Sequence, residues 1–318
     1  MPSNFIGDIQ VGVVGAATFD IQPPPGQAYK ITEISSDVAF VGDVPDVSVA
    51  LNDGVHAAAV IIIDPTTAVQ KGARAKEIII SNANYLTVTN TAAGAANIGW
   101  CGIRVNVNNV RTDVVTVPNA ADYDIRPPLG EVWRITEIGA ETMGANNRPD
   151  MTFFITDGVL VASAIMDETH NLKQDKLLDW YVGNGIWVRA TDLSGADNDL
   201  GFCAERVAVE HFADVQDVAG SGTMDIQPAA GQQVIITEIS AETWAGIAPV
   251  GSPDITVSFF DGANLSDIME PGSVSDSLSS TRTIALMIDN AHYLRITEIS
   301  TANNEVGYLG YVFREFTD

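Results

Sequence analysis

A motif that occurs three times sets the limits on what this chain can fold into. Asp20-Ile-Gln-Pro-Pro-Pro-Gly26 is followed by Tyr29-Lys-Ile-Thr-Glu-Ile34. It returns as Asp124-Ile-Arg-Pro-Pro-Leu-Gly130 with Trp133-Arg-Ile-Thr-Glu-Ile138, and again as Asp225-Ile-Gln-Pro-Ala-Ala-Gly231 with Val234-Ile-Ile-Thr-Glu-Ile239. The copies start at Asp20, Asp124 and Asp225, so the spacings are 104 and 101 residues. That period is the size of a self-sufficient domain rather than of a solenoid turn. The 318 residues therefore divide into three expected repeats, 1–111, 112–213 and 214–318.

Within each repeat the signals are those of short strands. Proline fixes its own φ and holds the preceding residue extended, so the Asp-Ile-Gln/Arg strand runs into a bend closed by the glycine. A second block, Pro45–Gly54, Pro149–Gly158 and Pro253–Gly262, brackets six β-favouring residues between Pro-Asp and Asp-Gly, a hairpin signature. A third begins at Asn82, Asn184 and Asn290, and a fourth is a Gly-aromatic strand at Gly99, Gly201 and Gly307. These place aromatics at Tyr85, Trp187 and Tyr293, then at Trp100, Phe202 and Tyr308, as core or sheet-face anchors. No stretch holds helical periodicity for three turns. The fold expected is all-β: three tandem antiparallel β-sandwich, jelly-roll-like domains. The seams, near Asn109–Thr112 and His211–Val215, lack Gly/Ser- or Pro-rich spacers, so the domains should pack against one another or sit at fixed angles rather than swing on tethers.

Charge and chemistry narrow the functional classes. The net charge is −25. Met1–Thr112 carries 6 basic and 9 acidic residues, Asp113–Phe212 carries 7 and 17, and Ala213–Asp318 carries 3 and 15, so acidity grows toward the C-terminus. Such a surface repels phosphate backbones and anionic membranes, so neither nucleic acid nor membrane is an expected partner. No apolar run approaches the roughly 18 residues that span a bilayer. The N-terminal residues lack the basic region of a secretory signal, so synthesis in a cytoplasm is expected. Cys101 and Cys203 share one repeat position with Leu309, a set that reads as a small apolar core site.

No catalytic set emerges. Glu33, Glu137 and Glu238 recur with Asp20, Asp124 and Asp225, and paired carboxylates are the machinery of glycosidases. The same Ile-Thr-Glu-Ile recurs in a different strand at Ile296–Ile299, which favours a strand preference with a solvated or hydrogen-bonded glutamate. His56, His170, His211 and His292 have no zinc-site spacing, and no nucleophile elbow or phosphate loop occurs. No enzyme and no cofactor are expected. Asp192, Asp197 and Asp199 offer oxygen ligands for Ca²⁺ around Gly195, against the alternative of a solvated hairpin loop. Lys71, Arg74 and Lys76 form the one basic run of an acidic chain. It reads as a loop, either solvated or docking the first domain onto an acidic partner. The Ser-rich Pro271–Ser280 and the segment Asp167–Lys176 read as loops too.

The Asp-Ile-Gln-Pro-x-x-Gly opening, the Ile-Thr-Glu-Ile strand and the closing Gly-aromatic strand resemble small β-sandwich proteins of tailed bacteriophages, head decoration (cement) and related accessory proteins. The resemblance covers each repeat. It implies a non-enzymatic virion protein on the outside of a phage head, with the major capsid protein or other virion proteins as partners. A tail, fibre or baseplate component, acting as spacer or receptor binder, is the alternative. An array of carbohydrate-binding modules would need exposed aromatics in variable loops, of which Trp244 is the clearest. Family members are usually single domains that trimerise. Three covalently joined copies therefore imply either a pseudo-threefold monomer or a linear row, with a homo-oligomer on the particle also open.

Overall fold

A computed structural model describes residues 4–38, 47–63, 71–91, 93–142, 151–165, 173–193, 195–243, 255–269, 279–298 and 303–313. Side chains at 38, 59–63, 71–76, 142, 163–165, 173–178, 242–243, 268–269 and 279–284 are outside the description. The described elements are β-strands and one 3-10 turn, and no helix is long and apolar enough to cross a membrane.

The first domain holds β1 (Phe5–Val13), β2 (Thr18–Ile21), β3 (Ala28–Val38), β4 (Val47–Asn52), β5 (Ala57–Ile63), β6 (Lys71–Ser81), β7 (Tyr85–Asn90) and β8 (Ala96–Val105). The second repeats the series as β9 (Asp113–Val117), β10 (Asp122–Ile125), β11 (Val132–Thr142), β12 (Met151–Thr156), β13 (Val161–Ile165), β14 (Lys173–Gly183), β15 (Trp187–Asp192) and β16 (Asn198–Val207). The third has β17 (Glu210–Val218), β18 (Thr223–Ile226), β19 (Gln233–Thr243), β20 (Ile255–Phe260), β21 (Leu265–Met269), β22 (Ser279–Asp289), β23 (Tyr293–Glu298) and β24 (Asn304–Phe313). Each domain forms two four-stranded antiparallel sheets. In the first the orders are β1-β8-β3-β6 and β2-β7-β4-β5, and the other domains follow the same orders. Successive strands mostly alternate between sheets, which is the jelly-roll path.

The repeated motifs now have physical readings. In β3, β11 and β19 the ladder slips between Ile31 and Glu33, Ile135 and Glu137, and Ile236 and Glu238. The intervening threonine is the extra residue of a β-bulge. Its hydroxyl donates to the carbonyl of Cys101, Cys203 or Leu309 at 3.3 Å. The bulge shifts the side-chain phase, so both isoleucines of Ile-Thr-Glu-Ile enter the core and the glutamate points out of the sandwich. The opening motif is a clip. Gln22, Arg126 and Gln227 donate to the carbonyls of Asn82, Asn184 and Asn290, whose amides donate back to the carbonyls of Pro23, Pro127 and Pro228. Gly26, Gly130 and Gly231 turn the bend at φ of 78–84°, the left-handed region where a side chain is unfavourable.

The basic run is not a loop. Lys71 and Arg74 lie in β6, an edge strand of its sheet, opposite Asp37 and Ile34 on β3, and Lys76 falls at the register slip. Likewise β14 begins at Lys173 and β22 at Ser279, so the variable middles end inside strands, because extended edge strands tolerate polar residues. Positions 271–278, His170 and Trp244 lie outside the described residues.

The connection after β8 is clamped. A 3-10 turn at Val107–Asn109 leads to Arg111, whose guanidinium pairs with Glu131 at 3.0 and 3.1 Å. With Arg111 first and the Trp133 indole N–H second, the Glu131 carboxyl is held down at about 2. At the second seam β17 starts at Glu210 and pairs with β24 from the outset (Glu210 with Val312), so the third domain's first strand begins ahead of residue 214.

Candidate functional site

The cores of the first two domains each continue into the next domain. The first core cluster includes Val114 and Cys203 of the second domain, and the second includes Val215 and Leu309 of the third. The two seams share one design. The edge strand β5 of the first domain stands on the outer face of β11, β14 and β16, with β6 beside it on β11 and β16, and β13 stands in the same way on β19, β22 and β24, with β14 beside it on β17, β19 and β24. The contact is close because the residues at its centre are small. A methyl built on Gly201 would lie 2.8 Å from Ala58 Cβ, and one on Gly307 would lie 3.0 Å from Ala162 Cβ. The first N–H of each docking strand is taken by a carboxylate of the receiving face: Ala57 N donates to Asp199 at 3.1 Å, and Val161 N to Glu305 at 2.7 Å. Burial raises the Glu305 carboxyl above its ordinary value, and Asp217 and Asp157 push the same way, against the Val161 N–H.

The seams differ in chemistry. At the first, Lys30 and Glu77 meet Arg134 and Glu205. Lys30 lies 3.1 Å from Glu205, Arg134 lies 2.8 Å from Glu77 and 3.3 Å from Glu205, and Asp179 holds the Arg134 Nε at 2.5 Å. Burial opposes the charge on Arg134, but Asp179 and Glu77 outweigh it, and the guanidinium stays firmly protonated. At the second seam the equivalent ground is aromatic. Tyr181 packs on Tyr311 with centroids 4.3 Å apart, and His211 Nε2 bonds the Tyr181 carbonyl at 2.9 Å. The buried Trp180 indole donates to Glu238 at 3.0 Å.

This geometry relocates the candidates read from the sequence. Glu137 and Glu238 are not solvated: both are buried beneath the preceding domain, while Glu33, on a face that neither of the other two domains covers, is exposed. Cys203 and Leu309 are buried in the seams rather than inside their own sandwiches, and Cys101, on the uncovered face, is half-buried. The bulge causes both corrections, since it turns the glutamate and its cross-strand partner outward. Asp20, Asp124 and Asp225 bond the neighbouring strand at Thr87, Arg189 and Arg295, far from the glutamates' role in the seams. The Ca²⁺ candidates serve three different purposes. Asp192 occupies the buried sandwich end where the other domains have Asn90 and Glu298. Asp197 accepts from the Asn119 N–H, and Asp199 accepts from Thr116 and from Ala57 across the seam. Among the described residues no group of three or more His, Cys, Asp or Glu is placed to hold a metal ion. The sequence reading missed the small-residue pair at each seam. Its signal was present as a glycine fixed in every closing strand, matched by Ala58, Ala162 and Ser266 four residues after the Asp-Gly glycine.

The first domain's counterpart of these receiving faces is a shallow groove of about 410 Å³, lined by residues including Phe5, Ile9, Glu33, Gly99 and Cys101. In comparisons with known proteins, no family model matches the chain, and no curated protein matches it in sequence. Among solved structures it is similar to the triple jelly roll of an archaeal virus turret assembly, at 11% identity and TM-score 0.24, covering 95% of this chain and 84% of that one. It is similar to the N-terminal tandem CBM22 domain of Xyn10C from Paenibacillus barcinonensis, at 14% identity and TM-score 0.19, covering 64% and 91%. A vicilin from Solanum melongena is similar at 7% identity and TM-score 0.19, covering 64% and 75%.

Proposed function

We propose that this chain is a non-enzymatic virion structural protein, a decoration protein that binds the outer surface of a phage head. The observation that carries the reading is the pair of buried seams. They fix three sandwiches into one continuous row, an arrangement suited to spanning a surface rather than to enclosing a substrate. The excess of carboxylates suits a protein needed at high copy number in solution before assembly. The resemblance of each repeat to decoration proteins agrees with this. The major capsid protein is the proposed partner, and the strand β6 that carries Lys71, Arg74 and Lys76 is the proposed docking edge for its acidic surface.

Cryo-electron microscopy of the assembled particle tests the reading. Density for three sandwiches on the outer head shell is expected. Density on the tail would instead support a spacer or fibre component, which the row-like arrangement also favours, and its absence from the particle would refute both. Reversing Lys71, Arg74 and Lys76 to Glu should lower occupancy on purified heads at least tenfold. Unchanged occupancy would remove the basic edge from the docking surface.

A further inference from the structure

The chain contains the same seam twice and leaves both halves of a third uncovered. Ile9 on β1 sits opposite Gly99, as Val114 sits opposite Gly201 and Val215 opposite Gly307. Val114 and Val215 are each 3% exposed beneath the preceding domain, whereas Ile9 is 66% exposed. Beside it, Phe5 and its cross-strand partner Ile103 are exposed as well. At the other end of the molecule, β21 is the edge strand equivalent to β5 and β13. Ser266 stands where Ala58 and Ala162 are buried against a glycine, yet it is exposed. Met287 stands where Ile79 is 0% and Tyr181 8% exposed, and it is 49% exposed. One end therefore offers an unoccupied receiving face and the other an unoccupied docking edge, each with apolar side chains in water.

We propose that copies of this chain associate head to tail, with β21 and β22 of one copy seated on the outer face of β1, β3 and β8 of the next. The fit follows from the seams already formed. Ser266 is small enough to meet Gly99, where a methyl would find Ser35 Oγ at 3.2 Å and Ile9 Cγ1 at 3.7 Å but no neighbouring domain. Met287 takes the place of Tyr181, and Ile103 that of Tyr311, so an apolar pair replaces the aromatic one. Such an interface is heterologous and adds copies in one direction, closing into a ring or continuing as a filament according to the rotation per copy. Asp267 on the docking strand and Asp8 and Glu33 on the receiving face carry like charges. High salt, which screens exposed charges, strengthens the association. The inference holds for the free protein and does not depend on the proposed place in a virion.

Sedimentation velocity and light scattering on the full chain test this over a wide concentration range at low and high salt. Mass is expected to grow with concentration, and more steeply in high salt. Ile9→Glu blocks only the receiving face and Ser266→Arg only the docking edge. Both sites are exposed, so each variant should melt like the wild type yet remain monomeric, with association weakened at least tenfold. Mixing the two variants restores a single junction and gives a 1:1 pair that grows no further, a stoichiometry that a symmetric dimer interface cannot produce. Alkylation of Cys101, on the receiving face, should slow as wild-type chains associate. A wild-type chain that stays monomeric at every concentration and salt level would overturn the proposal. So would association that survives both single variants, or a mixture that forms no pair.

Discussion

At the scale of single residues, equivalent positions carry different loads according to what covers them. Gly99 and Gly201 have the same place in the repeat, but only Gly201 lies beneath Ala58. Gly201→Ala should lower stability by about 1–3 kcal/mol through overpacking of a backbone-fixed contact, while Gly99→Ala should change it by less than about 0.5 kcal/mol. Denaturant titration of the two variants checks the contrast, and equal losses would contradict it. Trp180 makes a related point about polarity. Its N–H reaches a glutamate that is 1% exposed, and Trp180→Phe removes a donor from a buried carboxylate at a cost of about 1–3 kcal/mol. Placing Phe at Trp133 instead, whose N–H reaches the half-buried carboxylate of Glu131 that Arg111 also pairs, should cost less.

At the scale of elements, the two seams answer to different solution conditions because different strands meet there. Around Arg134, the carboxylates of Glu77, Asp179 and Glu205 share one guanidinium and Lys30. Arg134→Met leaves three carboxylates with one cation. Destabilisation of about 1–3 kcal/mol is expected for these partly exposed pairs, shrinking as salt screens the remaining repulsion. Thermal melts of the variant across a salt series read this directly. The second seam titrates instead. Burial lowers the pKa of His211 below its ordinary 6.5, with the Tyr181 carbonyl opposing. The unfolded chain then binds the proton more readily than the folded one, so stability is full above about pH 6.5 and falls as the pH drops toward the lowered folded value. His211→Asn should flatten the fall of the melting temperature below about pH 6.5 relative to the wild type. An unchanged slope would assign that acid sensitivity to other groups.

At the scale of the molecule, cores that run across both seams couple the domains. Val114 and Cys203 complete the first core, and Val215 and Leu309 the second. Calorimetry should therefore show one transition whose van't Hoff and calorimetric enthalpies agree. Three separable transitions would show that the seams contribute little. The same asymmetry makes the arrangement a row. The first domain's face and the third domain's edge both stay exposed, so they do not close on each other within one chain.

The repeat, the strand-and-turn grammar and the all-β class were legible in the sequence, because proline, glycine and alternating β-branched residues act locally. The clip between Asp-Ile-Gln/Arg-Pro and the asparagine of the third block was visible only as two motifs, since their pairing joins residues about 60 positions apart. The bulge was hidden for a related reason. A single tetrapeptide, Ile-Thr-Glu-Ile, forms a bulge in β3, β11 and β19 but lies in regular register in β23 through Glu298. Only the neighbouring strands decide which. The sequence alone therefore determined that three like sandwiches form. Tertiary structure decided that a strand edge of one covers a sheet face of the next, burying Glu137 and Glu238 and leaving Glu33 in water, because burial at a seam depends on which domain comes before and not on the residues themselves.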